Sequence, residues 1–196
     1  MNRTDKYEKG KISKASTNKV VTNVYFDAFS IEKVRFQNAN YADKTSIECY
    51  LDFEEIAILA TDAANGRLFK ELENGQKTVS MGGSKSSKRF DGAPESRIMS
   101  LGRAGDKIFI NMSAGKGRLG DTGLIIPDGA PDKKISVSMP IEKFRSMIIY
   151  TYDCVKGYLP KMVNNIVNEL EEDRKNYLAT SNKSSLSNAE TSDYPF

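Results

Sequence analysis

Histidine and tryptophan are both absent from the 196 residues, and there are only two cysteines. Without imidazole the usual general base of a serine or cysteine hydrolase is missing. Two lone thiols cannot complete a tetrahedral zinc shell, so zinc sites of the common kinds are excluded as well. No apolar run approaches the roughly 20 residues that a membrane-spanning helix needs. Met1 to Lys19 is polar and lysine-rich and lacks an apolar signal core, so it reads as a flexible arm and not an export signal. The phosphate-loop pattern G-x-x-x-x-G-K-[ST] is missing too; Gly115-Lys116-Gly117-Arg118 has neither its spacing nor its hydroxyl. Asp106, Asp121 and Asp128 lie in one stretch that could attract magnesium. Each is at or near a turn glycine, where aspartate is favoured for backbone reasons. The expectation is therefore a cytoplasmic protein with no catalytic residues, no metal and no cofactor, whose Cys49 and Cys154 are reduced thiols.

What is present is a β-rich pattern closed twice by helices. Val20–Phe29, Ile31–Asn38 and Ser46–Leu51 are rich in β-branched and aromatic residues and read as strands. Asp52 then stands as a helix N-cap with Glu55 at the capping-box position, and this helix is expected to end near Asn74-Gly75. Thr78–Met81, Arg97–Leu101, Lys107–Met112, Gly123–Ile126 and Lys134–Met139 form a second set of strands. The glycine-rich strings between them read as turns. Pro140 sits where the first residue of a helix is expected, and Pro160 should kink or interrupt that helix. The division expected is a polar arm over 1–19, one domain over 20–177 and a flexible serine- and asparagine-rich tail over 178–196.

Two features point to a partner. Between Lys77 and Arg118 nine basic residues face three acidic ones, an excess that suits a phosphate backbone. Lys77, Lys85, Lys88, Arg89, Arg97, Arg103, Lys107, Lys116 and Arg118 are the candidate phosphate contacts. Unpaired bases also need rings to stack on. Tyr25, Phe36, Tyr41, Tyr50, Phe90 and Phe109 are available, with Arg35–Phe36 and Lys107–Phe109 favoured because cation and ring occur together. The second feature is an internal echo: Leu51 to Leu59 aligns with Met139 to Met147, apolar at the first, third, sixth and ninth places with a shared glutamate at the fourth. Either strand-to-helix junctions simply look alike, or a sheet-plus-helix unit is duplicated.

The duplicated arrangement resembles the Whirly and transcriptional-coactivator type of single-stranded DNA-binding fold. The fold class expected is α+β, antiparallel sheets with two helices, with an OB-like barrel plus a long C-terminal helix as the alternative. The chain ends Asp193-Tyr194-Pro195-Phe196, which is similar to the acidic tip of bacterial single-stranded DNA-binding proteins. That resemblance implies Phe196 as anchor in a partner's apolar pocket, Pro195 as stiffener, Tyr194 as the preceding apolar contact, and Asp193 with Glu190 as the negative charge. This tip departs from the family in having a single aspartate next to the apolar residues and a tyrosine in place of an aliphatic one. The body does not match the common bacterial OB-domain sequence, which implies a phage or mobile-element version acting in the bacterial host cytoplasm. The partners expected are single-stranded DNA, replication or recombination proteins, and further copies of the chain. An oligomeric assembly protein and a small magnesium-dependent nuclease are the alternatives.

Overall fold

A computed structural model describes residues 11–17, 19–26, 33–85 and 91–189. The chain divides into two units, Met1–Val155 and Lys156–Phe196. In the first unit the described residues form β1 (Lys11–Ser16), β2 (Val20–Phe26), β3 (Lys33–Asn40), β4 (Thr45–Asp52), α1 (Phe53–Ala64), α2 (Arg67–Glu71) and a 3₁₀ turn (Leu72–Asn74). There follow β5 (Lys77–Ser84), β6 (Glu95–Ala104), β7 (Lys107–Leu119), β8 (Ile125–Pro127), β9 (Lys133–Pro140) and the first turns of α3 (Ile141–Ala189). The remaining turns of α3 make up the described part of the second unit.

The architecture is α+β with two antiparallel sheets. The first is a meander in the order β1-β2-β3-β4. The second runs β5-β6-β7-β9, with the short β8 paired to the far end of β7. A helix leaves each sheet directly: α1 after β4 and α3 after β9. The echoed sequence stretches fall on these two equivalent junctions. The first sheet is a simple meander, whereas in the second β8 and β9 both pair with β7; the arrangement is compatible with a sheet-plus-helix unit and with an OB-like fold.

Alternation decides which side of each strand is buried. On β3 and β4 the buried face pairs Val34 with Leu51, Phe36 with Cys49 and Asn38 with Ile47. On the second sheet Leu101, Ile110 and Val137 align across β6, β7 and β9, as do Met99, Met112 and Ile135. These inner faces form the core. One polar cluster lies inside it. The Asn38 amide nitrogen donates to the main-chain oxygens of Ile110 (2.9 Å) and Ile135 (3.2 Å), and the Thr22 hydroxyl donates to Asn38 Oδ1 at 2.6 Å. Both side chains are fully buried, so the first sheet is hydrogen-bonded to the backbone of the second through one amide.

The helices are seated by their ends. The Asp52 amide donates to Glu55 Oε2 at 2.8 Å, the reciprocal half of a capping box. α1 buries Ile56, Leu59, Ala60 and Ala63. Phe69 of α2 meets Phe144 of α3 edge-on at 6.5 Å, and the Arg145 guanidinium lies 4.9 Å over the Phe69 ring. Arg145 Nε also donates to the Ala63 carbonyl, satisfying an end of α1 from another helix.

Several boundaries differ from the sequence expectation. Lys11–Ser16, expected in the flexible arm, pairs with β2 as an edge strand. The helix opened by Asp52 stops at Ala64, because Gly66 takes a left-handed φ of 79° that restarts the chain as α2. Gly82-Gly83 and Gly115-Lys116-Gly117, expected as turns, lie inside β5 and β7. A Cβ at Gly83 would overlap the Glu95 carbonyl oxygen, and one at Gly117 would sit 2.6 Å from Ile125 Cγ2. Glycine serves close strand crossing there, not a reversal. α3 continues through Pro160 and through the polar stretch from 178 to Ala189 expected as tail. A proline removes one N–H donor, and adding turns to an existing helix is less costly than starting one.

The buried amide gives a stability prediction. Asn38→Leu strands the Thr22 hydroxyl and the facing carbonyls and should cost about 2–3 kcal/mol, seen as a lower urea midpoint. Adding Thr22→Val should recover part of that loss, since an apolar pair leaves fewer polar groups unsatisfied.

Candidate functional site

The face of the first sheet away from the core carries an ordered row. Cross-strand register places Lys11, Tyr25, Arg35 and Tyr50 side by side on β1, β2, β3 and β4. Arg35 Cζ lies 4.7 Å from the Tyr25 ring centroid, and Lys11 Nζ lies 6.0 Å from the same ring. Arg35 is only 7% exposed, while both tyrosines are half-buried. With strands about 4.8 Å apart, the two rings stand about 10 Å from each other with a guanidinium between them. Such stacking suits arginine, whose planar cation is weakly hydrated.

The next row holds the first in place. Lys14, Asn23, Gln37 and Glu48 are register neighbours. Glu48 Oε1 accepts from Arg35 Nη1 at 3.2 Å and from Gln37 Nε2 at 3.0 Å, and Asn23 Nδ2 donates to Gln37 Oε1 at 3.3 Å. Asn23, Gln37 and Glu48 are thus linked to one another and to Arg35, which holds the guanidinium in place over the Tyr25 ring.

At the β4 edge this face opens into a cleft of about 350 Å³ against β5. Tyr50, Ser80 and Met81 line it with the cations Lys33, Lys85 and Arg97. The Ser80 hydroxyl donates to the Tyr50 carbonyl at 2.8 Å and ties the two edges together. Lys33 pairs with Asp52 at 2.7 Å, and Arg97 Nε pairs with Glu95 at 2.6 Å. Cys49 also borders the cleft. Burial pushes its thiol up to about 12, although the Arg97 charge pulls the other way.

The residues singled out from sequence are only partly gathered here. Arg35 is central, but Phe36 is 1% exposed in the core and cannot stack on a ligand. Adjacent strand residues face opposite ways, so a cation beside a ring in sequence is not beside it in space. Lys85 and Arg97 reach the cleft. Lys77, Arg103 and Lys107 lie at the other end of the second sheet: Lys77 pairs with Glu71, and Arg103 donates to the Phe69 carbonyl and to Glu73. Six residues along β6 separate Arg103 from Arg97, about 20 Å. Phe109, half-buried, remains on one face of β7 with the exposed Lys107. Lys116 pairs with Asp128 at 3.2 Å, and Arg118 is exposed near the end of β7. Lys88, Arg89 and Phe90 lie outside the described residues, as do Asp193, Tyr194, Pro195 and Phe196.

Lys11, Lys14 and Lys33 were not found from sequence. Lys11-Ile-Ser-Lys-Ala-Ser offers only two apolar residues, too weak an alternation to mark a strand. Among the described residues no group of three or more Cys, Asp or Glu could hold a metal ion, and no helix is long and apolar enough to cross a membrane. No protein-family model matches the chain, and no curated protein matches it in sequence.

Both cysteines are free thiols, Cys49 buried and Cys154 half-buried on α3. In the native protein at pH 8 a maleimide should modify Cys154 and leave Cys49 intact, because the thiolate is the nucleophile. Peptide mapping should find Cys49 modified only after denaturant is added.

Proposed function

We propose that this protein binds single-stranded DNA across the outer face of its first sheet and coats it during replication or recombination. The observation that carries the reading is the Lys11–Tyr25–Arg35–Tyr50 row, which alternates cation and ring across four strands. Rings with about 10 Å spacing offer platforms for unstacked bases, and stacking contributes about 1–3 kcal/mol per base whatever the base. Lys11, Lys14 and Lys33 supply the surrounding positive charge for phosphates. Binding of this kind needs no catalytic group and no cofactor.

The remaining parts extend the same reading. Val167 and Leu170 of α3 are exposed apolar residues, which favours self-association through that helix. Asp193 to Phe196, by resemblance to the acidic tip, recruits replication or recombination proteins in the host cytoplasm.

Fluorescence anisotropy with a labelled oligothymidylate tests the core of this. Tyr25→Leu and Tyr50→Leu keep bulk and remove the ring, and each should weaken binding about 5- to 150-fold. In the same titration, Lys11→Glu with Lys14→Glu should reduce the salt slope by about 1.4, the value for two lost phosphate contacts on a single strand. Equal affinity of wild type for duplex, or no effect of either tyrosine change, defeats the reading. Deleting Tyr194 to Phe196 should leave oligonucleotide affinity intact and abolish co-purification of replication proteins; persistence of those partners removes the tip from the proposal.

A further inference from the structure

The cleft between β4 and β5 has features that a stacking surface alone does not require. Its volume of about 350 Å³ is small, within the range of small-molecule sites. Its walls are of two kinds. Tyr50, Met81 and Leu124 are apolar, whereas Lys33, Lys85 and Arg97 are cationic. Among the described residues lining it the one acidic side chain is Glu48, which is occupied with Arg35 and Gln37.

Two of the cations retain donor capacity. Arg97 uses Nε for Glu95, and its terminal amino groups have no hydrogen-bond partner among the described residues. A guanidinium carries five N–H donors in a planar fork that matches a phosphate bidentately. Lys85 has no ion-pair partner among the described residues. Tyr50 links the cleft to the row, since it ends the row on β4 and also forms the cleft wall.

We infer that this cleft is a subsite for one nucleotide, with the base against Tyr50 and Met81 and the phosphate held by Arg97 and Lys85. The inference rests on the single-stranded DNA reading and deepens it. A strand crossing the row toward the β4 edge delivers its next nucleotide into a cavity that takes a single unit. Stacking on Tyr50 and contact with Met81 are tolerant of base identity, so the subsite recognises a nucleoside monophosphate as a class. Neither half suffices: a nucleoside lacks the anion, and inorganic phosphate lacks the flat apolar body.

Thymidine 5′-monophosphate, thymidine and inorganic phosphate are titrated separately into the full-length protein, followed by amide chemical shifts in two-dimensional NMR. The monophosphate should shift residues lining the cleft and bind about tenfold or more tightly than either fragment, as expected for losing a charge-assisted contact or a stacked ring. Arg97→Gln and Lys85→Gln should each weaken the monophosphate about tenfold, and Lys107→Gln, at the other end of the second sheet, should not change it. Phosphate binding as tightly as the monophosphate would reduce the cleft to a plain anion site and overturn the inference. So would shifts away from the cleft, or indifference to Arg97→Gln. Failure here leaves oligonucleotide binding and its dependence on Tyr25 in place, whereas failure of the broader reading removes those and leaves the mononucleotide titration to be read by itself.

Discussion

The first unit depends on one amide in the core. Asn38 joins the inner face of the first sheet to main-chain oxygens of β7 and β9, and Thr22 completes its bonding. Apolar packing presses two sheets together without fixing their offset, since it has no direction. A buried amide with three partners has direction, and any slip leaves it unsatisfied in a medium without water. The arrangement therefore holds the sheets in one alignment, and that alignment sets β4 against β5 to form the cleft.

The outer face follows from the same geometry. Because the inner residues of β2, β3 and β4 are committed to the core, their neighbours in sequence must face outward. Tyr25, Arg35 and Tyr50 come into a line through register, not through proximity along the chain. Glu48 neutralises Arg35 without displacing it from the ring, because a guanidinium can stack through its face while its edge bonds a carboxylate. The result is a mostly buried cation whose charge is balanced on one side and whose plane is shared with an aromatic.

Much of the fold was legible because alternation and capping are local. Val34, Phe36, Ile47, Cys49 and Leu51 announce two strands with one buried face, and Asp52 with Glu55 marks the helix that follows. The echo at Leu51 and Met139 located both sheet-to-helix junctions. The site was less legible because it is made of cross-strand neighbours. Arg35 stands out in the sequence for the ring next to it, Phe36, yet its ring partner is Tyr25 across the ladder, and only register reveals that. The basic run from Lys77 to Arg118 looks continuous in sequence, but hairpins carry its members to opposite ends of the sheet. Glycines of β5 and β7 read as turns in the sequence because their composition does not distinguish reversal of a chain from the near approach of another.

Side chains on an exposed face can change or move by a residue or two at little cost to the fold. Gly83 and Gly117 have no such freedom, since any side chain there runs into the Glu95 carbonyl or the Ile125 methyl. Both places are closed to a side chain unless the strand backbone beside them moves, whatever the surface carries. Steric closure thus fixes how near β5 and β7 come to their neighbours, as the Asn38 amide fixes how the two sheets are offset.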